Sequence, residues 1–400
     1  MRRNLLLASV LLSAFACGER ITAPGACPTF CPDDQIVVLD TLLLDGVVQD
    51  STFTGFLPAY SASVMQLVNE PGGVEAVALA RFVAFSDSLP LSPVDTLKGP
   101  IVATDSFRLD IPIARRAATI QGLQIAIHRM PAGVDTLTVY DAVAPFFHDS
   151  TVLDTLDVPD TLSVGRFLAV LPGDAFPNLD ADGRLITLGF RLIAPEPTYL
   201  ELGAVESTNA VILTRFTKVD SAGTQVFRNE GRLPGLDTYF ATADVPAPPG
   251  ALVVGGIPSA RAFLRLAVPS AIVDSSTVVR ATLILVPVTP VVGPPGDTLI
   301  LLGAGISADV GAKSPLVGVP ADSVAFRVGR VAVGSTDTLR LDVTDLVRSW
   351  RANPTRPRVI VVRAVPEGGS LSAAALGSSL LGGAPILQVT WIPPVTLGDR

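Results

Sequence analysis

The chain reads as all-β: two tandem antiparallel β-sandwiches carried behind an export signal and a short tether. Three observations predict this. Short β-branched runs recur every ten to fifteen residues between Pro, Gly and Asp, helical periodicity is nearly absent, and the order of segments in the first half returns in the second. β-branched and aromatic side chains fit a pleated surface, while Gly, Pro and Asp punctuate it.

The elements follow in chain order. Residues 1–16 form a signal peptide: Arg2 and Arg3 supply the positive head, Leu5 to Ala16 the apolar core, and Ala14-Phe15-Ala16 the small-x-small cut. The cut falls before Cys17. This junction resembles the lipobox of bacterial lipoproteins, with Ala14 where that box usually carries Leu and bulky Phe15 next. The resemblance implies that Cys17 is the lipidated first residue of the mature chain, which would place the protein at the outer membrane or cell surface; without the lipid it would be secreted or periplasmic.

Residues 17–35, with Pro24, Gly25, Pro28 and Pro32, suit a tether. The three cysteines are Cys17, Cys27 and Cys31. Lipidation of Cys17 would resolve the odd count, leaving Cys27 and Cys31 either as one small disulfide loop in an oxidising compartment or as two free thiols. A structural zinc lacks partners, since His128 and His148 are the only histidines.

Composition bounds the partners. Apolar residues make up 48% and charged ones 16%, yet nothing after residue 17 approaches the roughly 18 uninterrupted apolar residues of a membrane helix. The longest candidate, Leu283 to Val292, is broken by Pro287 and Pro290. Net charge is −8 with no Lys/Arg block after Arg3, so a nucleic-acid partner, which needs a basic patch, is not expected. The expected membrane contact is the N-terminal lipid alone. Prolines also interrupt too many candidate strands for an outer-membrane barrel.

A repeat divides the remainder. Asp50-Ser51-Thr52-Phe53 parallels Asp237-Thr238-Tyr239-Phe240, and Ala78 to Phe82 parallels Ala262 to Leu266. Arg166 to Val170 followed by Phe176 matches Arg340 to Thr344 followed by Trp350, and Val211 to Phe216 matches Ile386 to Trp391. Four matches in order indicate two copies of one β-domain. The first sandwich spans 36–218, a polar connector 219–235, the second sandwich 236–393, and a tail 394–400.

The second copy resembles a named family. Leu341-Asp342-Val343-Thr344-Asp345-Leu346-Val347-Arg348-Ser349-Trp350 is similar to the "DVTdlVqsW" motif of DNRLRE domains. Asp237-Thr238-Tyr239, Ala260 to Leu266, Val279 to Leu283 and Ala384 to Val389 stand where that family carries its opening, "RaLLrFd", "A-x-L" and "P-x-L-x-V" elements. The resemblance covers 237–392; the first copy carries only a degenerate version. It implies a jelly-roll sandwich of bacterial surface proteins, in which related modules bind polysaccharides.

Each motif carries a functional and a plainer reading. Trp350 could stack on a sugar with Asp345 bonding its hydroxyls. The simpler account is a helical turn capped by Thr344, with Asp345 in its first turn and Leu346, Val347 and Trp350 facing the core. Asn178, Asp180 and Asp182 precede Gly183 like the front half of a calcium loop, but Gly189 stands where the closing Glu should be, so a polar turn is simpler and no cofactor is expected beyond this Ca²⁺ candidate. The recurrent Asp-Thr-Leu at 40, 95, 135, 154, 160, 297 and 337 reads as strand punctuation.

No nucleophile elbow occurs, neither histidine has a recognisable partner, and aromatic platforms are scarce. The expected function is therefore non-enzymatic: an envelope lipoprotein that displays two β-sandwiches to bind an extracellular ligand, a polysaccharide foremost, or to scaffold the surface. A structural partner of another envelope protein is the alternative, and a polysaccharide-degrading enzyme the least favoured.

Overall fold

The computed structural model describes residues 37–394 except 57, 71–73, 93–95, 118–119, 136–138, 178, 180–183, 243–246 and 312–327. Cys17, Cys27 and Cys31, and the calcium candidates Asn178, Asp180 and Asp182, therefore lie outside the described residues. Among the described residues no helix is long and apolar enough to cross a membrane.

The chain is mostly β, and its antiparallel sheets curl into sandwich-like half-barrels. Two strands come first, β1 (Leu39–Leu43) and β2 (Val47–Phe56). Then follow β3 (Val64–Asn69), β4 (Ala76–Phe82), β5 (Ser88–Pro90), β6 (Lys98–Arg116), β7 (Gln124–Arg129) and β8 (Val152–Asp157). The series continues with β9 (Gly165–Pro172), β10 (Ile186–Ile193), β11 (Thr198–Gly203), β12 (Ile212–Ser221), β13 (Thr224–Arg232) and β14 (Pro234–Ala241). Next come β15 (Leu252–Gly255), β16 (Ser259–Leu266), β17 (Thr277–Leu285), β18 (Thr298–Gly305) and β19 (Val328–Ala332). β20 (Leu339–Asp342), a helix at Thr344–Ala352, β21 (Val359–Ala364), β22 (Ala373–Leu376) and β23 (Ile386–Ile392) complete it.

The same pairing plan is used twice. One sandwich sets β13-β12-β6-β9 against β14-β4-β10-β7-β8, with β3 and β11 joining them. The other sets β1-β23-β17-β20 against β2-β16-β21-β18-β19, with β15 and β22 in the matching places. Alternation decides which side faces in. Phe107, Leu109, Ile111 and Ile113 of β6 enter the first core, and Ala281, Leu283 and Leu285 of β17 the second, while Arg108, Asp110, Arg280 and Thr282 between them face out. The closing strands sit one residue out of step with the sequence parallel. Val211 and Leu213 point inward as Leu387 and Val389 do, which puts Ile212 in the place of Gln388.

The hairpins are exchanged between the sandwiches. β2 pairs with β16, Asp50 opposite Leu264, whereas β14 pairs with β4, Asp237 opposite Ala80. β1 likewise closes the second sandwich on β23, and β13 the first on β12. Residues 39–56 thus complete the second sandwich before the chain enters the first, and residues 224–241 complete the first before it enters the second.

A buried polar cluster joins the two. Gln66 donates to Glu201 at 2.9 Å and to the Gly369 carbonyl, while Arg115 bonds Glu201 and Asp297. Ser372 donates to the other Asp297 oxygen at 2.7 Å, and the Tyr239 hydroxyl donates to the Gly368 carbonyl at 2.6 Å. Leu371 packs into the first core. Buried charges persist only when paired, and here each carboxylate has its donors.

Candidate functional site

The four-stranded sheet β1-β23-β17-β20 presents a polar outer face. Its pleat brings Asp40, Gln388, Thr390, Arg280, Thr282 and Arg340 around a hollow of about 380 Å³. Asp40 stands opposite Thr390 across the β1–β23 ladder and accepts from Gln388 Nε2 at 2.9 Å and Thr390 Oγ1 at 3.0 Å. Those bonds orient the two β23 side chains. Trp391 Nε1 donates to Thr41 at 3.0 Å and pins the same strand pair.

Arg280 and Arg340 are exposed and, among the described residues, have no hydrogen-bond or ion-pair partner. The equivalent face of the first sandwich explains why. Arg108 and Arg166 occupy the matching positions, as the pairings of β6 and β9 mirror those of β17 and β20. There Arg166 Nε bonds Asp110 at 2.7 Å and its other nitrogens reach Asn209 and the Ala210 carbonyl. Arg108 lies 5.6 Å from the Phe216 ring centroid. In the second sandwich Thr282 replaces Asp110 and Gln388 replaces Ile212. One face is closed by its own side chains; the other keeps two guanidinium forks beside Thr282, Gln388 and Thr390, with its one lining carboxylate, Asp40, engaged by Gln388 and Thr390. A guanidinium presents five donors in a plane, suited to carboxylate, sulfate or vicinal hydroxyl oxygens.

The residues singled out in the sequence lie elsewhere. Trp350 is 1% exposed and packed in the second core with Leu346 and Val347, so its ring offers no stacking surface, and Asp345 sits on the exposed side of the helix, 3.5 Å from Arg348. The expected cap also differs. Asp342 accepts the Thr344 N–H at 3.0 Å, and the Thr344 hydroxyl instead accepts from Ala281 N–H at 2.9 Å, since β17 lies within its reach. The helix thereby ties β20 to β17 under the hollow.

His128, 3% exposed on β7, bonds Thr151 through Nδ1 at 2.9 Å and packs edge-on to Phe147. Thr151 already donates to backbone carbonyls, so Nδ1 carries the proton and buried Nε2 is left without a partner. Burial, with the Arg191 charge behind it, lowers its pKa to about 4. His148 is exposed and bonds Ser150. Asp237 of β14 accepts the Val205 N–H at 2.8 Å, yet burial still pushes its carboxyl up to about 6. Among the described residues no three His, Cys, Asp or Glu side chains cluster to hold a metal.

Sequence reading missed Asp40, Arg280, Arg340 and Gln388 as site residues. The available signal was the match of Arg166 with Arg340, provided the acid facing each was then compared. No family model and no curated protein matches the chain.

Proposed function

We propose that this is a non-enzymatic envelope lipoprotein, held to a membrane by lipidated Cys17, whose second sandwich binds an extracellular polysaccharide across β1-β23-β17-β20. The observation that carries the reading is the pair of uncommitted arginines, Arg280 and Arg340, sharing one hollow with Thr282, Gln388 and Thr390. Sugar recognition needs converging donors and acceptors on a preformed surface, and strands hold such groups more rigidly than loops. The DNRLRE-like motifs of 237–392 point the same way.

Affinity electrophoresis of the purified chain against neutral and acidic polysaccharides tests it. Retention by at least one polymer, reduced about tenfold or more in R280A/R340A, is expected; an unretarded protein across the panel overturns the reading. Mass spectrometry of the mature N-terminus tests the anchor, and an unmodified Cys17 would make the protein freely secreted.

A second reading, assembly with another envelope protein, is favoured by the first sandwich. The face closed by Asp110 and Phe216 carries exposed Leu168, Val170 and Phe227, the last 68% exposed. Leu168 and Val170 neighbour each other on β9, and Phe227 stands on β13 opposite Lys218; an exposed apolar patch marks an interaction surface. Cross-linking in intact cells, with a partner captured through this face, supports that reading.

A further inference from the structure

The two closing hairpins match in register but not in burial. β14 buries Asp237, Thr238, Tyr239 and Phe240, and Tyr239 enters the first core. The N-terminal hairpin gives the second core Val47, with Leu43 at its margin and Phe53 edge-on to Phe263 on the outer side. Leu42 and Val48 face water, at 55% and 60% exposed. What holds residues 39–56 is chiefly the backbone ladder, Leu39–Leu43 against β23 and Val47–Phe56 against β16. Asp40, Thr41, Thr52 and Asp50 add side-chain bonds to Gln388 and Thr390, Trp391, the Val253 N–H and Ser379. A segment with little buried apolar area and exposed hydrogen bonds opens before the rest of a fold.

We propose that residues 39–56 are a detachable closing hairpin and that a second copy of this chain supplies it, so that two copies exchange N-terminal hairpins. Opening would leave β16 and β23 as edge strands with unpaired backbone groups, a template for strand addition. The sequence that fits their register is 39–56 itself, present in every copy. The exchange needs no new contact, since each hairpin would make in the neighbour the bonds it makes at home; this is the low-cost route to a closed symmetric dimer. The hollow is then completed by Asp40 from the other copy. The exchange stands whether or not that hollow holds a saccharide.

Leu42 and Gln388 face each other across β1 and β23. Two full-length chains, L42C and Q388C, each with its three native cysteines replaced by serine, are mixed at high concentration under mild oxidation. Exchange predicts a disulfide-linked heterodimer that accumulates with time, while the L42C/Q388C double variant closes within one chain when dilute. A double variant that closes while the mixture yields no heterodimer overturns the proposal. Hydrogen exchange on the unmodified chain is the second arm. Amides of 39–56 are expected to exchange at least tenfold faster than those of 234–241, and equal protection overturns the proposal whatever the cysteines do.

Discussion

Arg115 of β6 reaches Asp297, just ahead of β18, at 2.7 Å, and this ion pair spans the junction of the two sandwiches. The same guanidinium bonds Glu201 and lies 4.8 Å from the Tyr199 ring centroid. Both carboxylates are nearly enclosed, with side chains 3% and 7% exposed. Arg115→Ala would leave two like charges buried near each other, with Gln66 still donating to Glu201 and Ser372 and the Thr298 N–H to Asp297. Breaking such a cluster by removing one partner costs on the order of 3 kcal/mol. Arg115→Lys, which keeps the charge but loses the two-pronged reach, should recover part of it. Urea unfolding measures both, and an alanine variant as stable as the parent would show that the cluster contributes nothing to the junction.

Trp350 fills the second core beneath β17, and its indole nitrogen is buried without a partner. Trp350→Ala is therefore expected to cost about 3–5 kcal/mol through the cavity it leaves. Trp350→Phe forfeits no hydrogen bond and should cost far less. Polysaccharide retention per folded molecule should be unchanged in the phenylalanine variant. A selective loss of retention there would restore Trp350 as a contact residue.

Much of the fold was legible because alternation is a local property. Ala281, Leu283 and Leu285 against Arg280, Thr282 and Ile284 define an inner and an outer face without any partner strand. The parallel of Asp50–Phe53 with Asp237–Phe240 was equally plain, and its register holds in the ladders. Which sandwich each hairpin joins was not legible. β4 and β16 offer acceptor edges of the same pattern, so local sequence permits either pairing, and only tertiary contacts such as Tyr239 with Gly368 distinguish them. The site was hidden for a related reason. Asp40 looks like a turn residue until Gln388 and Thr390, about 350 positions away, are placed beside it. Arg340 looks like any strand arginine until Thr282 is seen where the first sandwich has Asp110.

Two buried titratable groups give stability opposite pH dependences. His128 has a folded pKa of about 4 against an ordinary 6.5, so between those values the unfolded chain binds more protons. Its contribution is complete above pH 6.5 and is lost as pH falls toward 4. Asp237, raised to about 6 from 3.8, does the reverse: the folded chain holds the extra proton, and stability is lost as pH rises from about 4 through 6. Asp237→Asn keeps an acceptor for the Val205 N–H and removes the buried charge, so it should stabilise by about 3 kcal/mol well above pH 6 and gain little below pH 4. His128→Gln should flatten the fall between pH 6.5 and 4. Unfolding free energy measured from pH 4 to 8 checks both, and parallel curves for parent and variant would refute the assignment.

The two faces differ at one decisive position, which makes a reciprocal test possible. In the first sandwich Asp110 engages Arg166; in the second Thr282 leaves Arg340 open. Thr282→Asp should therefore close the second hollow as the first is closed, drawing Arg340 or Arg280 into an internal ion pair. An exposed pair of this kind contributes roughly 0–1 kcal/mol, so the melting temperature should move little. Polysaccharide retention should drop about tenfold or more, because the guanidinium is occupied and a carboxylate now repels anionic groups. Thr282→Asn, similar in shape but uncharged, should spare most of the retention. Loss in both variants would indicate that the hollow is too tight for either side chain, and retention in both would move the binding surface away from this face.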